Sequence, residues 1–131
     1  MNLSFLLSER VRSDHPIRVA LIGCGKFATM YLTQARQTAG IHVVGIADLD
    51  LARAMKQLAM AGWTAEQYAA SKPTDAMANG STWLTEDADQ LIDLNEIDVV
   101  VEATGIPTAG IHHCRRAIAA GHHIIMVNVE A

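Results

Sequence analysis

Six consecutive residues, Gly23-Cys24-Gly25-Lys26-Phe27-Ala28, have the types and spacing that let a backbone hold a diphosphate. In a G-x-G-x-x-G/A run the first glycine permits a tight turn out of a strand. The second leaves the space of a missing side chain, so that a pyrophosphate can approach the backbone. The third small residue, here alanine, lets helix and strand pack closely. The anion would then lie against N–H groups at a helix N-terminus, where the dipole favours negative charge. Asp48 follows Gly23 at close to the roughly 20-residue separation expected of an acid that meets the adenosine ribose. A carboxylate accepts hydrogen bonds from free ribose hydroxyls and repels a 2′-phosphate, so Asp48 favours NAD over NADP. Lys26 and Arg53 lie near enough in sequence to offset a phosphate. The plainer alternative is that Gly23 and Gly25 only make a turn and Asp48 only caps a helix.

These residues need a strand before them and a helix after them, and the apolar pattern supplies both. Short β-rich runs alternate with longer helical stretches, as in a parallel sheet with crossover helices. The strands expected are Ile17 to Ile22, Ile41 to Ala47, Ser81 to Leu84, Ile97 to Glu102 and His122 to Val127. Val99-Val100-Val101 is apolar on both faces, as a central parallel strand requires. After the glycine loop, Phe27, Tyr31, Ala35 and Thr38 form one helical stripe, and Gly40 stands where a helix would stop. Asp50 is placed to cap a helix with Leu51, Ala54, Met55 and Leu58 on one face, closed by Gly62. Ala65 to Ala70 fits a helical turn or two, and Lys72-Pro73-Thr74-Asp75 reads as a loop. Thr85 is the expected cap of a helix that turns Ala88, Leu91 and Ile92 inward. Pro107 suits the first turn of the last helix, striped by Ile111, Cys114 and Ile118 and ended by Gly121. The expected fold is α/β: a three-layer, doubly wound parallel sheet of about five strands in the order 3-2-1-4-5.

A second loop, Glu102-Ala103-Thr104-Gly105-Ile106-Pro107, follows the fourth strand. Ligands of open α/β sheets lie beyond the C-terminal strand ends, near the switch in strand order. That puts Ala103, Thr104 and Gly105 beside the glycine loop, where they can line the inner ribose and nicotinamide, or form a capping turn, or both. Asn128 and Glu130 fall on the same rim.

The bulk properties agree with one domain. In 131 residues, 50% are hydrophobic and 18% charged, with a formal charge of −4. That apolar content argues against disorder, and no apolar run approaches the roughly 20 residues of a membrane span. A slightly acidic chain without a basic run is a poor match for nucleic acid phosphates. Leu3, Leu6, Leu7 and Val11 fall at helical spacing, and no positive charge precedes them. Residues 1–15 therefore read as a short helical segment rather than a secretory signal, followed by a dinucleotide-binding domain over 16–131. Two cysteines make no disulfide scaffold, which fits a reducing cytoplasm. The pairs His112-His113 and His122-His123 cannot readily clasp one ion, because adjacent side chains diverge on helices and strands; no metal site is expected. Cys24, near a helix N-terminus where a thiol pKa can fall, reads as a small filler. Met55 reads as core, and Trp63 and Trp83 as covers for the sheet edge. The chain ends at Ala131, soon after the last strand, so it is expected to be the N-terminal portion of a larger protein.

Through these residues the chain resembles the NAD(P)-binding domain of the homoserine dehydrogenase type. The closer resemblance is to bacterial oxidoreductases described as deoxyxylulose-phosphate reductoisomerase-like, which often carry a SAF domain. The segments that carry it are Pro16–Thr29 (PIRVALIGCGKFAT), Val44–Asp48 (VGIAD), Val101–Pro107 (VEATGIP) and Met126–Ala131 (MVNVEA), with Met1-Asn2-Leu3 like that group's start. The resemblance implies a Rossmann domain joined to a catalytic and dimerisation domain, and hence a homo-oligomer. It implies that Gly23, Gly25, Lys26 and Phe27 line the pyrophosphate, Asp48 the adenosine ribose, and Ala103, Thr104 and Gly105 the nicotinamide side. Asn128 and Glu130 fall where related reductoisomerases carry an Asn-Lys-Glu stretch; Val129 replaces the lysine, and Ala28 replaces a usual glycine. The function expected is the NAD(P)-binding part of an oxidoreductase that moves hydride to or from a small polar metabolite. Two rivals remain: a non-catalytic nucleotide-binding or redox-sensing module, and an inactive truncation with an unpaired sheet edge.

Overall fold

The computed structural model describes residues 15–35 and 37–127. Five strands, β1 (Ile17–Ile22), β2 (Ile41–Ala47), β3 (Trp83–Thr85), β4 (Val99–Glu102) and β5 (His123–Met126), form one sheet in the order β3-β2-β1-β4-β5. Every pairing is parallel. The expected order 3-2-1-4-5 is the observed one. β1 lies at the centre, and the chain reverses direction of winding between β1 and β4, so the loops after those two strands meet.

Among the described residues, five helices cover the sheet: α1 (Lys26–Ala35), α2 (Leu51–Met60), α3 (Pro73–Asn79), α4 (Ala88–Ile92) and α5 (Pro107–Ala119), with one 3-10 turn at Ala65–Tyr68. On one face Ala28 and Leu32 of α1 and Ala54 and Leu58 of α2 pack on Val19, Leu21, Val43, Ile46 and Val101. On the other, Ala76 of α3, Leu91 and Ile92 of α4 and Ala117 of α5 meet Ala20, Ile22, Val44 and Val100. The central strands are apolar on both sides because both sides are covered. Each fully buried Leu or Ile contributes on the order of 1.5–3 kcal/mol.

Several local expectations are corrected. The fully buried residues of α1 are Ala28 and Leu32; of the expected stripe, Tyr31 and Ala35 are partly buried against the same core, while Phe27 is 36% exposed. The helix also ends at Ala35, before Thr38 and Gly40. Both stripes have helical period, and the one chosen brings Cys24 and Ala28 under the sheet. Lys72–Asp75 is not a loop: Pro73 occupies the first turn of α3, as its fixed φ allows. Asp87, not Thr85, caps α4 through the Gln90 N–H at 3.1 Å, while the Thr85 hydroxyl accepts the Asp87 N–H at 3.0 Å. On α5 the buried residues are Gly110 and Ala117, with Ile111 and Ile118 exposed. Small side chains let this helix approach the sheet closely, which large ones at the same face would prevent. Met55 is exposed. Trp83 stands on the edge strand but is buried in the core. Trp63 packs instead against α1, donating Nε1–H to the Leu32 carbonyl at 3.0 Å. β3 and β4 begin two residues later than expected from the apolar runs, and β5 is trimmed by one residue at each end. The expected N-terminal helix, Asn128 and Glu130 lie outside the described residues. Among those described, no helix is long and apolar enough to cross a membrane.

Candidate functional site

The loops after β1, β2 and β4 converge at the C-terminal edge of the sheet. Gly23 extends the ladder, donating its N–H to the Ala47 carbonyl at 2.8 Å, while Ala103 donates to Ile22 at 2.8 Å. Gly23 has φ +94°, and a Cβ there would lie 2.8 Å from the Ala103 carbonyl carbon and oxygen and from Thr104 Cα. No other residue type fits that contact. Gly25 is different: its φ is not left-handed, and a Cβ would meet nothing within 4 Å. Its bare backbone borders open space.

α1 begins at Lys26, so its first N–H groups have no carbonyl within the helix. Among the described residues, the N–H groups of Gly25, Phe27 and Ala28 have no partner. The Cys24 N–H, by contrast, is taken by Asp48 Oδ2 at 2.9 Å. The loop therefore offers unpartnered donors and, at Gly25, a position beside which no protein atom fills the space, which suits a diphosphate.

Asp48 closes β2 with a side chain only 1% exposed. Besides Cys24, it accepts the Asp50 N–H at 2.9 Å and Arg53 Nη2 at 3.0 and 2.8 Å. Four bonds occupy roughly the four lone-pair sites of a carboxylate. Asp48 is thus a strut for the glycine loop, its lone pairs taken by protein donors before any ribose hydroxyl arrives. Arg53 stays half-exposed, and the hydrogen bond and charge of Asp48 raise its guanidinium pKa. Asp50 caps α2 as expected, accepting the Arg53 N–H at 3.0 Å.

Cys24 is fully buried, and its thiol pKa is pushed up to about 11 by that burial and by Asp48, against the pull of Arg53. The helix N-terminus does not activate it; the thiol is a filler in the neutral form. Phe27 stacks on Tyr31 with ring centres 6.2 Å apart, and Lys26 opens α1 beside it.

A cavity of about 200 Å³ opens where the three loops meet. Gly23, Asp48, Arg53 and Thr104 border it, joined by Leu49, Glu86, Ile106 and His113. So the structure brings the glycine loop, Asp48 and the Ala103–Gly105 loop together, with Ala103 packed on Gly23 and Thr104 in the cavity wall. Gly105 turns the loop at φ +72°.

The sequence names Glu102 only as the start of the second loop and His113 only in a discounted metal pair; it does not join the two. Glu102 ends β4 with no exposed surface. Its Oε1 accepts the Thr104 N–H at 2.8 Å and hydroxyl at 2.5 Å, and its Oε2 bonds His113 Nδ1 at 2.5 Å. Burial pushes the Glu102 pKa up, but the hydrogen bonds from His113 and Thr104 outweigh it, leaving the carboxyl below its ordinary value near 4.5. A carboxylate ending an otherwise apolar strand is the signal that could have found this pair, since such a group needs a partner. His112 diverges to Asp89 at 2.9 Å. Among the described residues no group of three or more His, Cys, Asp or Glu is placed to hold a metal.

Because the folded Glu102 carboxyl has the lower pKa, it supplies stability above the ordinary value, and this is lost as pH falls below it. Glu102→Gln is expected to lower stability by about 2 kcal/mol at neutral pH. It should also flatten the acid limb of a plot of Tm against pH below about 4.5. Parallel acid limbs in parent and variant would contradict the assignment.

The model of the family described as "Homoserine dehydrogenase, NAD binding domain" matches residues 23–131. Curated protein sequences give no significant match. Among solved structures, the chain is similar to a homoserine dehydrogenase from Thiobacillus denitrificans, at 25% identity and TM-score 0.62 over 86% of this chain and 23% of that one. It is also similar to a biliverdin reductase from Synechocystis, solved with biliverdin and NADP+, at 22% identity and TM-score 0.63 over 85% of this chain and 29% of that one. A myo-inositol dehydrogenase from Lactobacillus casei, solved with NAD(H) and myo-inositol, matches at 17% identity and TM-score 0.60, over 85% and 28%. The chain spans less than a third of the length of these proteins.

Proposed function

The chain belongs to the family of homoserine dehydrogenase NAD-binding domains, and from that premise we propose that it is the part of an NAD(P)-dependent oxidoreductase that seats the cofactor across the C-terminal edge of its sheet. The observation that carries this is the open space at Gly25 together with the unpartnered Gly25, Phe27 and Ala28 amides. Those donors would hold the diphosphate. Asp48 and Arg53 would flank the adenosine ribose, Lys26 and Phe27 the pyrophosphate, and Ala103, Thr104 and Gly105 the inner ribose and nicotinamide. When bound, the nicotinamide supplies hydride chemistry. This chain's own residues bind it, orient it and exclude water from its inner face.

The substrate, a small polar metabolite, and the groups that act on it would come from the length of the relatives that this chain does not span. The closer likeness to reductoisomerase-like enzymes rests on Val101–Pro107 and Met126–Ala131. A homo-oligomer in the cytoplasm without membrane partners belongs to the same reading, and the net charge of −4 argues against nucleic acid phosphates as a partner. Calorimetric titration with NAD+ and NADP+ tests the proposal: saturable one-to-one binding of either is expected, and no heat or thermal shift at millimolar concentration would overturn it.

Asp48 alone would favour NAD. Its pairing with Arg53 changes the balance, because the guanidinium neutralises the carboxylate and presents donors where a 2′-phosphate would arrive. Arg53→Ala is expected to raise the Kd for NADP+ relative to NAD+ by about tenfold. An unchanged ratio would remove Arg53 from cofactor choice.

A further inference from the structure

We infer that the N-terminal end of the sheet, opposite the glycine loop, carries a second site, which takes the oxyanion group of a small polar metabolite with Arg18 as its counter-ion. It stands apart from the dinucleotide reading and does not depend on it.

Arg18 and His42 are partners in the β1–β2 register. Strand alternation puts both on the face that carries Ala20 and Val44. A cavity of about 500 Å³ opens beside them, bounded by the last turn of α3, with Pro16, Ile41, Met77 and Asn79 in its wall. That volume falls within the roughly 300–1,000 Å³ of small-molecule sites, and far exceeds the roughly 30 Å³ share of one water. No acidic residue lines it among the described residues, and Arg18 brings the one permanent charge. The guanidinium has no hydrogen bond or ion pair there, and its Nε is buried without an acceptor. Asp98 does not neutralise it: its Oδ2 accepts the Arg18 backbone N–H at 2.9 Å. His42 adds no second charge. Its Nε2 lies 2.6 Å from the Ser81 carbonyl, which can only accept, so that nitrogen bears the proton. Burial lowers the His42 pKa, the Ser81 bond opposes this, and the Arg18 charge lowers it further. A buried donor without an acceptor calls for a partner, and a guanidinium fork matches the oxygens of a carboxylate or phosphate.

The test titrates inorganic phosphate and, separately, acetate into the 15N-labelled 131-residue chain at constant ionic strength, with chloride as the reference. The Arg18 Nε–H resonance is expected to shift and saturate with at least one of them, and the tighter of the two tells a phosphate ester from a carboxylate. Arg18→Met is expected to weaken that binding at least about tenfold, read from the His42 ring resonances. The variant loses a donor that has no acceptor, so its Tm should stay close to the parent's. Phosphate can also reach the glycine loop, so the titration is repeated in Gly25→Val, where the Arg18 shift is expected to persist. If neither anion moves Arg18 more than chloride does, or if the shift disappears in Gly25→Val, the second site is overturned.

Discussion

Replacing Gly25 by valine is expected to raise the dissociation constant for NAD(P) by at least about 100-fold while moving Tm little. A side chain at Gly25 meets no protein atom within 4 Å, and the backbone is not left-handed there. The folded chain therefore tolerates it. The only local cost is a β-branched residue next to the start of α1, about 1 kcal/mol relative to a good cap. The same side chain projects into the space the diphosphate needs. Charge-assisted contacts to backbone N–H groups contribute about 1.5–3 kcal/mol each, so displacing two of them accounts for two orders of magnitude. Calorimetry and a melting curve on the same sample check both halves. A valine variant that binds as tightly as its parent would put the diphosphate elsewhere.

Gly23→Ala should behave in the opposite way, as a fold mutation. The added Cβ lies 2.8 Å from three backbone atoms of Ala103 and Thr104, at a φ of +94°. Those atoms follow directly from β4, whose ladder to β1 holds them in place, so they cannot step aside cheaply. The backbone conformation costs roughly 1–2 kcal/mol for a residue with a Cβ, and overpacking roughly 1–3 more. Against a typical total of about 5–15 kcal/mol, a loss of about 2–5 is large, and Tm should drop by roughly 10 °C or more. Denaturant unfolding measures it directly. Stability equal to the parent's would mean that the loops after β1 and β4 do not meet as described. The two glycines thus separate what holds the fold from what leaves room for a ligand.

The strand order and the glycine loop were legible in the sequence because each depends on local pattern. Val99–Val101 reads as a doubly covered strand wherever it sits, and the loop needs only a strand before it and a helix after it. Helix faces were less legible. In α1 the stripes Phe27–Tyr31 and Ala28–Leu32 have the same period, and it is Ala28 and Leu32 that are fully buried, with Tyr31 only partly so. On α5 the isoleucines point outward because Gly110 and Ala117 permit the closer approach. At the site, Asp48 was found by its separation from Gly23. Its saturation by Cys24, Asp50 and Arg53 was not, since that depends on how two loops fold onto one side chain. The pairing of Glu102 with His113 was illegible for a related reason. One is on a strand and the other on the next helix, and no spacing rule links them. Only the oddity of a carboxylate after three valines pointed there.

The most direct measurement is a map of backbone amide shifts as NAD+ or NADP+ is titrated into the 15N-labelled chain. The N–H groups of Gly25, Phe27 and Ala28, unpartnered in the structure, are expected to move most, with Thr104 and Gly105 following. If the cofactor binds while those amides hold still and others respond, the start of α1 is not where the diphosphate rests.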